Sequence, residues 1–249
     1  KIDNEEKNMK KQVNPSEIWS DDNLNIVIPM AGDGSRFKEA GYTFPKPLIQ
    51  VFEKPMIQVV IEQLKIRANY IFIVKEEHDE IYNISSMLKA IQPNCKIIKV
   101  NNTTEGSACT VLLAKEFINN KMGLLIVNSD QYVEWSPTKT MYDFMMKKVD
   151  GGIMTFESFH PKWSYAECKE NSNQVIKVAE KEVISNNATV GIYYWNKGSD
   201  FVNCAEEMID KNDRVKNEFY ICPVYNYALK KNKRIVISEI EKMHGLGTP

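Results

Sequence analysis

NIVIPMAGDGSRFKEAGYTFPKP, from Asn25 to Pro47, is the stretch around which the rest of the chain is organised. Ile26, Val27 and Ile28 are β-branched and apolar, so Ile26 to Pro29 is predicted to be a buried strand. The strand breaks into Ala31-Gly32-Asp33-Gly34-Ser35-Arg36, where two glycines let the backbone take positive φ and bring its N–H groups close to a ligand. Such a concavity of amides is a natural anion seat. Arg36 stands at its exit. Lys46 follows between Pro45 and Pro47, whose fixed φ stiffens the backbone on both sides. Taken alone, such a loop is more often just a tight turn; with the arginine and the braced lysine it points to a polyphosphate site.

The loop is not the dinucleotide fingerprint, because the third glycine of G-x-G-x-x-G would fall at Phe37. It is not a Walker A loop either, since no G-K-[ST] closes it. Three segments in order, Pro29 to Phe37, Pro45-Lys46-Pro47-Leu48 and Lys54-Pro55-Met56-Ile57, resemble the signature of the nucleotidyltransferases that activate sugar phosphates. That family carries a G-x-G-(S/T)-R loop, a P-K-P lysine and a G-K-P-(M/L)-I helix start. The resemblance runs from about Leu24 to near the end. It implies an α/β fold: a Rossmann-like three-layer α/β/α arrangement with a mixed, mostly parallel central sheet, the glycosyltransferase-A-like nucleotidyltransferase fold.

A length of 249 residues is ample for one large domain or two small ones. A net charge of −1 without a sustained basic stripe argues against a nucleic-acid partner. No apolar run approaches the roughly 20 residues of a membrane-spanning helix, so no membrane partner is expected. The start does not read as a signal peptide. Cys95, Cys109, Cys168, Cys204 and Cys222 are odd in number and show no C-x-x-C, so they read as reduced thiols in a cytoplasmic protein. The three histidines are isolated, and no zinc site is expected.

Residues 1–23 are polar and lack a repeating apolar face, as in a tail or linker. From Leu24 onward strand-like and helix-like segments alternate, as in an α/β fold. Met56 to Arg67 is predicted as a helix, with Ile57, Val60, Ile61 and Leu64 on one face. Helices are also predicted over Glu77–Ile91, Ser107–Asn119, Ser199–Lys211 and Cys222–Lys231. Strands are predicted over Tyr70–Val74, Lys96–Val100, Gly123–Val127, Gly152–Glu157, Tyr165–Glu170, Val175–Glu180, Thr189–Trp195 and Arg234–Ser238. The resemblance implies a nucleotide-binding half, 24–150, and an acceptor-binding half, 151–249, sharing one sheet. The chain can be a piece of a longer one, and a homo-oligomer or a fusion to another enzyme domain is open.

Asp130 follows the apolar strand Leu124 to Val127, where ligands bind in open α/β sheets. A carboxylate there suits Mg²⁺ or caps the turn. The resemblance implies the former, with Asp130 holding Mg²⁺ against the phosphates. It further implies that Arg36 and Lys46 act in catalysis beside Asp130. Ala31, Gly32, Gly34 and Ser35 would bind nucleotide, and Asn101 and Gly106 would read the base, with Asn101 where the family has Gln. Glu180-Lys181 resembles the family's acceptor-binding E-K pair. Tyr165, Gly191 and Glu218 fall on the sugar-pocket positions, and Pro223 stands where many members carry a second acid for the metal. The implied reaction joins an NTP (CTP, UTP or dTTP) to a phosphorylated acceptor with release of pyrophosphate. Segments Asn128 to Gln131 and Asn217 to Asn226 resemble a branch associated with capsule and surface-polysaccharide clusters. The acceptor is a sugar 1-phosphate or, in that branch, a non-sugar such as phosphoglutamine or phosphocholine. A regulatory module that binds nucleotide-sugar without catalysis is the reading of another class.

Overall fold

The computed structural model describes residues 18–32, 39–41 and 45–246. The expectations for Gly34, Ser35 and Arg36, and for residues 1–17 of the tail, lie outside the described residues.

Strand β1 (Trp19–Met30) is central. Gln50–Val51 and Lys54–Pro55 form a small hairpin, β2 and β3, that leads into α1 (Met56–Leu64). Strand β4 (Ile66–Lys75) lies parallel to β1, and β5 (Lys96–Val100) lies parallel to β4. On the other side of β1 runs β6 (Gly123–Val127), also parallel. Side chains alternate across these strands. Ile26, Ile28 and Phe72 enter one core, while Val27, Ile71 and Ile73 enter the other. Both faces are therefore covered, which is why these strands read as unbroken apolar runs.

Helices α2 (Glu76–Tyr82), α3 (Ile84–Ile91), α4 (Ser107–Leu112) and α5 (Lys115–Ile118) lie between β4 and β6, and after β6 come β7 (Gln131–Glu134), α6 (Pro137–Lys147) and β8 (Gly151–Glu157). Strands β9 (Ser164–Cys168), β10 (Val175–Glu180) and β11 (Asn187–Trp195) follow. β11 pairs antiparallel with β6, β8 and β9, so a single nine-stranded sheet carries residues of both halves. Two helices, α7 (Gly198–Asp210) and α8 (Val224–Lys230), pack on it, with Trp195 stacked on Tyr225 at 4.4 Å between centroids. β12 (Ile235–Glu239) extends the sheet beside β8, and β13 (Lys242–Gly245) turns back to pair with β7.

Several boundaries differ from the sequence reading. β1 starts at Trp19, and Trp19 and Ser20 pair with Ile66 and Arg67, so the end of the polar segment is strand. The helix from Met56 stops at Leu64, because Lys65 takes a left-handed φ of 53° and β-branched Ile66 joins β4. The helix expected over 77–91 is two, α2 (Glu76–Tyr82) and α3 (Ile84–Ile91), broken at left-handed Asn83. That expected over 107–119 is α4 (Ser107–Leu112) and α5 (Lys115–Ile118).

Candidate functional site

The parallel strands β1 and β6 end side by side at Met30 and Val127, and the chain beyond them opens a cleft of about 410 Å³. Ala31, Gly32, Lys46, Gly106, Asp130, Glu180 and Glu218 all line it. Seven of the positions singled out in the sequence thus meet in one place, drawn from segments up to 187 residues apart (218 − 31).

Pro45 and Pro47 wind the chain into a short 3-10 helix over Lys46–Leu48, with Pro47 buried. From it Lys46 Nζ donates to Asp130 Oδ2 at 2.7 Å. Their side chains are 21% and 27% exposed, so this pair is neither fully solvated nor dry. Asp130 is held from behind, where its backbone carbonyl accepts the Leu246 N–H at 2.8 Å.

The loop after β5 forms the adjoining wall. Gly106 has φ 139°, and a Cβ there would run into the backbone of Phe219. Its lack of a side chain lets the two loops close on each other. Phe219 N–H donates to the Glu105 carbonyl, and Ala108 N–H to the Phe219 carbonyl, both at 2.9 Å. Arg214 reinforces the junction, pairing with Glu105 at 2.8 Å and lying 4.2 Å over the Phe219 ring. Asn101 is exposed and does not line the cleft; Asn102, Thr103 and Thr104 do.

At the far end the wall is made of side chains. Glu180 closes β10, and burial raises its pKa; the neighbouring Glu218 charge adds to the shift, while a Ser164 hydrogen bond and Lys181 oppose it. Tyr193, whose hydroxyl lies 2.8 Å from Thr189 Oγ1, and the Cys222 thiol are both pushed well up by burial and stay protonated. Lys181 donates to the Tyr220 hydroxyl at 2.8 Å, and that hydroxyl donates to Glu218 at 2.7 Å.

Three expected acceptor residues, Tyr165, Lys181 and Gly191, do not line the cleft, although Lys181 reaches its lining residue Tyr220. Tyr165 is fully buried and its hydroxyl donates to the His160 carbonyl at 2.6 Å, so it is a core residue, and Ser164 faces the cleft instead. Gly191, at φ 78°, is one layer back. The space a Cβ would take is filled by the side chains of Gln131 and Asn128, not by the cleft. The sequence reading did not single out Ser164, Tyr193, Tyr220 or Cys222 as site residues. Each lay within a segment that resembled the family, next to a residue that was singled out: Ser164 beside Tyr165, Tyr193 near Gly191, and Tyr220 and Cys222 after Glu218. Pro223 precedes α8 as its N-cap, with φ −59°, and has no side-chain ligand atom; Asp130 is the acid beside Lys46 in the cleft.

The Nucleotidyl transferase family model matches residues 26–235. Mannose-1-phosphate guanylyltransferase 1 of Arabidopsis thaliana is 29% identical over 185 residues, which are 70% of this chain and 50% of that protein. The bifunctional protein GlmU of Methanocaldococcus jannaschii is 25% identical over 177 residues, 70% of this chain and 40% of that protein. The chain thus spans about half the length or less of these curated relatives. Among solved structures, the nucleoside-diphosphate-sugar pyrophosphorylase of Vibrio cholerae RC9 superposes with a TM-score of 0.78 at 25% identity, over 90% of this chain and 96% of that one. A UDP-glucose pyrophosphorylase complexed with UDP-glucose shares the fold, with a TM-score of 0.71 at 18% identity over 90% of this chain and 94% of that one. With the family model covering most of the chain and its signature residues converging on one cleft, this protein belongs to the nucleotidyl transferase family.

Proposed function

We propose that the chain is an enzyme that transfers a nucleoside monophosphate group from an NTP to a phosphorylated acceptor, releasing pyrophosphate. The observation that carries this reading is the Lys46–Asp130 pair at 2.7 Å in a cleft lined also by Gly32, Gly106, Glu180, Glu218 and Tyr220. In such chemistry a phosphate oxygen of the acceptor attacks the α-phosphorus in line and pyrophosphate leaves. Catalysis is then mostly positioning and charge neutralisation. Lys46 would neutralise charge at the α-phosphate, and Arg36 with the amides of Gly32 and Gly34 would hold the β- and γ-phosphates. Lys181 would orient the acceptor phosphate, and Glu180 and Glu218 its hydroxyls.

Mg²⁺ is the proposed cofactor. Among the described residues no cluster of three or more His, Cys, Asp or Glu side chains is assembled for a metal. A single carboxylate, Asp130, beside a phosphate site fits an ion that keeps its waters and enters with phosphates, as Mg²⁺ does. There it would neutralise phosphate charge.

Relatives named for mannose 1-phosphate and UDP-glucose chemistry support a sugar 1-phosphate as acceptor, and CTP, UTP or dTTP remains the proposed donor. The product would serve surface-polysaccharide synthesis in the cytoplasm, with phosphoglutamine and phosphocholine as alternative acceptors. Pyrophosphate release with Mg²⁺, screened over CTP, UTP, dTTP, ATP and GTP against a panel of sugar 1-phosphates, phosphocholine and phosphoglutamine, tests the proposal. Release with one pair names donor and acceptor together. Pro223, which takes the place of an acid, favours a nucleotide-sugar-binding regulatory module as the second reading. Nucleotide binding by calorimetry without release from any pair would support that module. Neither binding nor release would sink both.

A further inference from the structure

We infer that Tyr220 is a positioning residue that sets the Lys181 ammonium at the acceptor end of the cleft, to meet an anionic oxygen group such as a phosphate. The inference rests on the reading above in assigning Lys181 to the acceptor side. Lysine presents a compact charge on a flexible stem, so a lysine that must meet a phosphate needs something to fix its head. The base of Lys181 is already fixed. Its φ is 56°, and its N–H donates to the Trp163 carbonyl at 3.1 Å. Its head is fixed by Tyr220 in two ways: Nζ donates to the hydroxyl at 2.8 Å and lies 4.7 Å from the ring centroid.

Tyr220 is itself held on both sides. Glu218 and Val215 exchange two backbone hydrogen bonds of 2.9 Å, and Phe219 is zipped to both sides of Gly106. The Tyr220 hydroxyl donates onward to Glu218 at 2.7 Å, which fixes the direction of its lone pairs towards Lys181. Interposing a neutral hydroxyl has an electrostatic consequence. A lysine in direct contact with Glu218 would give up much of its attraction for a phosphate, because Coulomb energy is largest at contact. Through Tyr220 the carboxylate locates the ammonium from a distance, and the positive charge stays available. The same residue also joins the loop around Gly106 to the acceptor lysine, so the two substrate sides share one support.

A double-variant cycle tests this, with inorganic phosphate as the probe. Phosphate affinity is measured by calorimetry for the wild type, Tyr220→Phe, Lys181→Ala and the pair. Lys181→Ala should weaken phosphate about 10-fold, and Tyr220→Phe about 3- to 10-fold, as expected for a lost hydrogen bond to a charged group. On the Lys181→Ala background the Tyr220→Phe loss should shrink below about 2-fold, the signature of residues acting as a unit. An equal loss on both backgrounds, no loss from Tyr220→Phe, or no loss from Lys181→Ala would each overturn the inference. If Tyr220→Phe does not fold, Glu218→Gln replaces it in the same cycle with the same expected coupling. With an active donor and acceptor pair, Tyr220→Phe should raise the acceptor KM more than the nucleotide KM. Coupled phosphate losses in a protein that releases no pyrophosphate would sink the proposed activity and leave this assignment standing.

Discussion

At one end of the cleft, parallel strands β1 and β6 stop together, and the lining comes from loops with Gly32, Gly106 and small polar residues such as Thr104 and Ser129, beside the pair Lys46–Asp130. At the other end, antiparallel strands β9, β10 and β11 supply side chains: Ser164, Glu180 and Tyr193, with Glu218 and Tyr220 from the loop before α8. A triphosphate is the same whatever the base, so a backbone cradle with a few cations suffices for it. Acceptors differ in shape and hydroxyl pattern, and only side chains can follow such differences. The comparison teaches that changes at the first end should act on turnover, and changes at the second on selectivity and pH response.

The largest effect that could break this contrast is at Lys46. Lys46→Ala should lower kcat by about 100- to 1,000-fold, in the range of removing one group that stabilises transition-state charge. Its far-ultraviolet circular dichroism should match the wild type. Full activity in that variant would remove the charge pair from the mechanism. Next is Gly106, where the junction of the two loops leaves no room for a Cβ and φ is 139°. Gly106→Ala should cost about 1–3 kcal/mol, as strain at such a φ does, and a thermal melt should show it as a lower midpoint.

Glu180 gives a smaller effect with a definite sign. Its folded pKa is raised by burial, so the folded state holds the proton more tightly than the unfolded chain. Stability from this group is present at acid pH and is lost as pH rises from the ordinary glutamate value through the raised one. Glu180→Gln should therefore flatten the decline in melting midpoint over that window; a variant that keeps the wild-type slope would place the titration elsewhere. The smallest effect sharpens the contrast. Lys54 and Glu62 form an ion pair at 2.8 Å between β3 and α1, with both side chains nearly half exposed. Lys54→Ala should change stability by less than about 0.5 kcal/mol in urea melts, since solvent screens such pairs.

The parallel half was legible because strands buried on both faces must be apolar throughout, as Ile26 to Ile28 and Leu124 to Val127 are. Helix α6 escaped notice although Ser136 caps it and Pro137 opens it, because only Pro137, Thr140, Met141 and Phe144 are buried and no broad apolar stripe forms. The break at Asn83 hid inside a helical pattern, since asparagine enters the left-handed region more readily than most residues. Within the cleft, the places of Lys46 and Asp130 were legible from the P-K-P segment and from the end of an apolar strand. Tyr165 was misplaced by a single position. In a strand the neighbouring residue faces the other way, so Ser164 took the cleft and the tyrosine took the core. Tyr220 lies in irregular backbone, where no period announces which side chain turns inward.

The clasp between β13 and β7 has a consequence in time. β7 leaves the ribosome directly after Asp130, whereas Lys242 to Gly245, its pairing partners, are made more than a hundred residues later. Lys46, Asp130 and the strands beside them are translated early and can meet as soon as they emerge. The hydrogen bond from Leu246 to the Asp130 carbonyl forms only when the end of the described chain has been synthesised. During translation the aspartate therefore exists first as an unclasped strand end and is locked last, so a nascent chain halted before β13 carries the Lys46–Asp130 pair without the tether behind the aspartate.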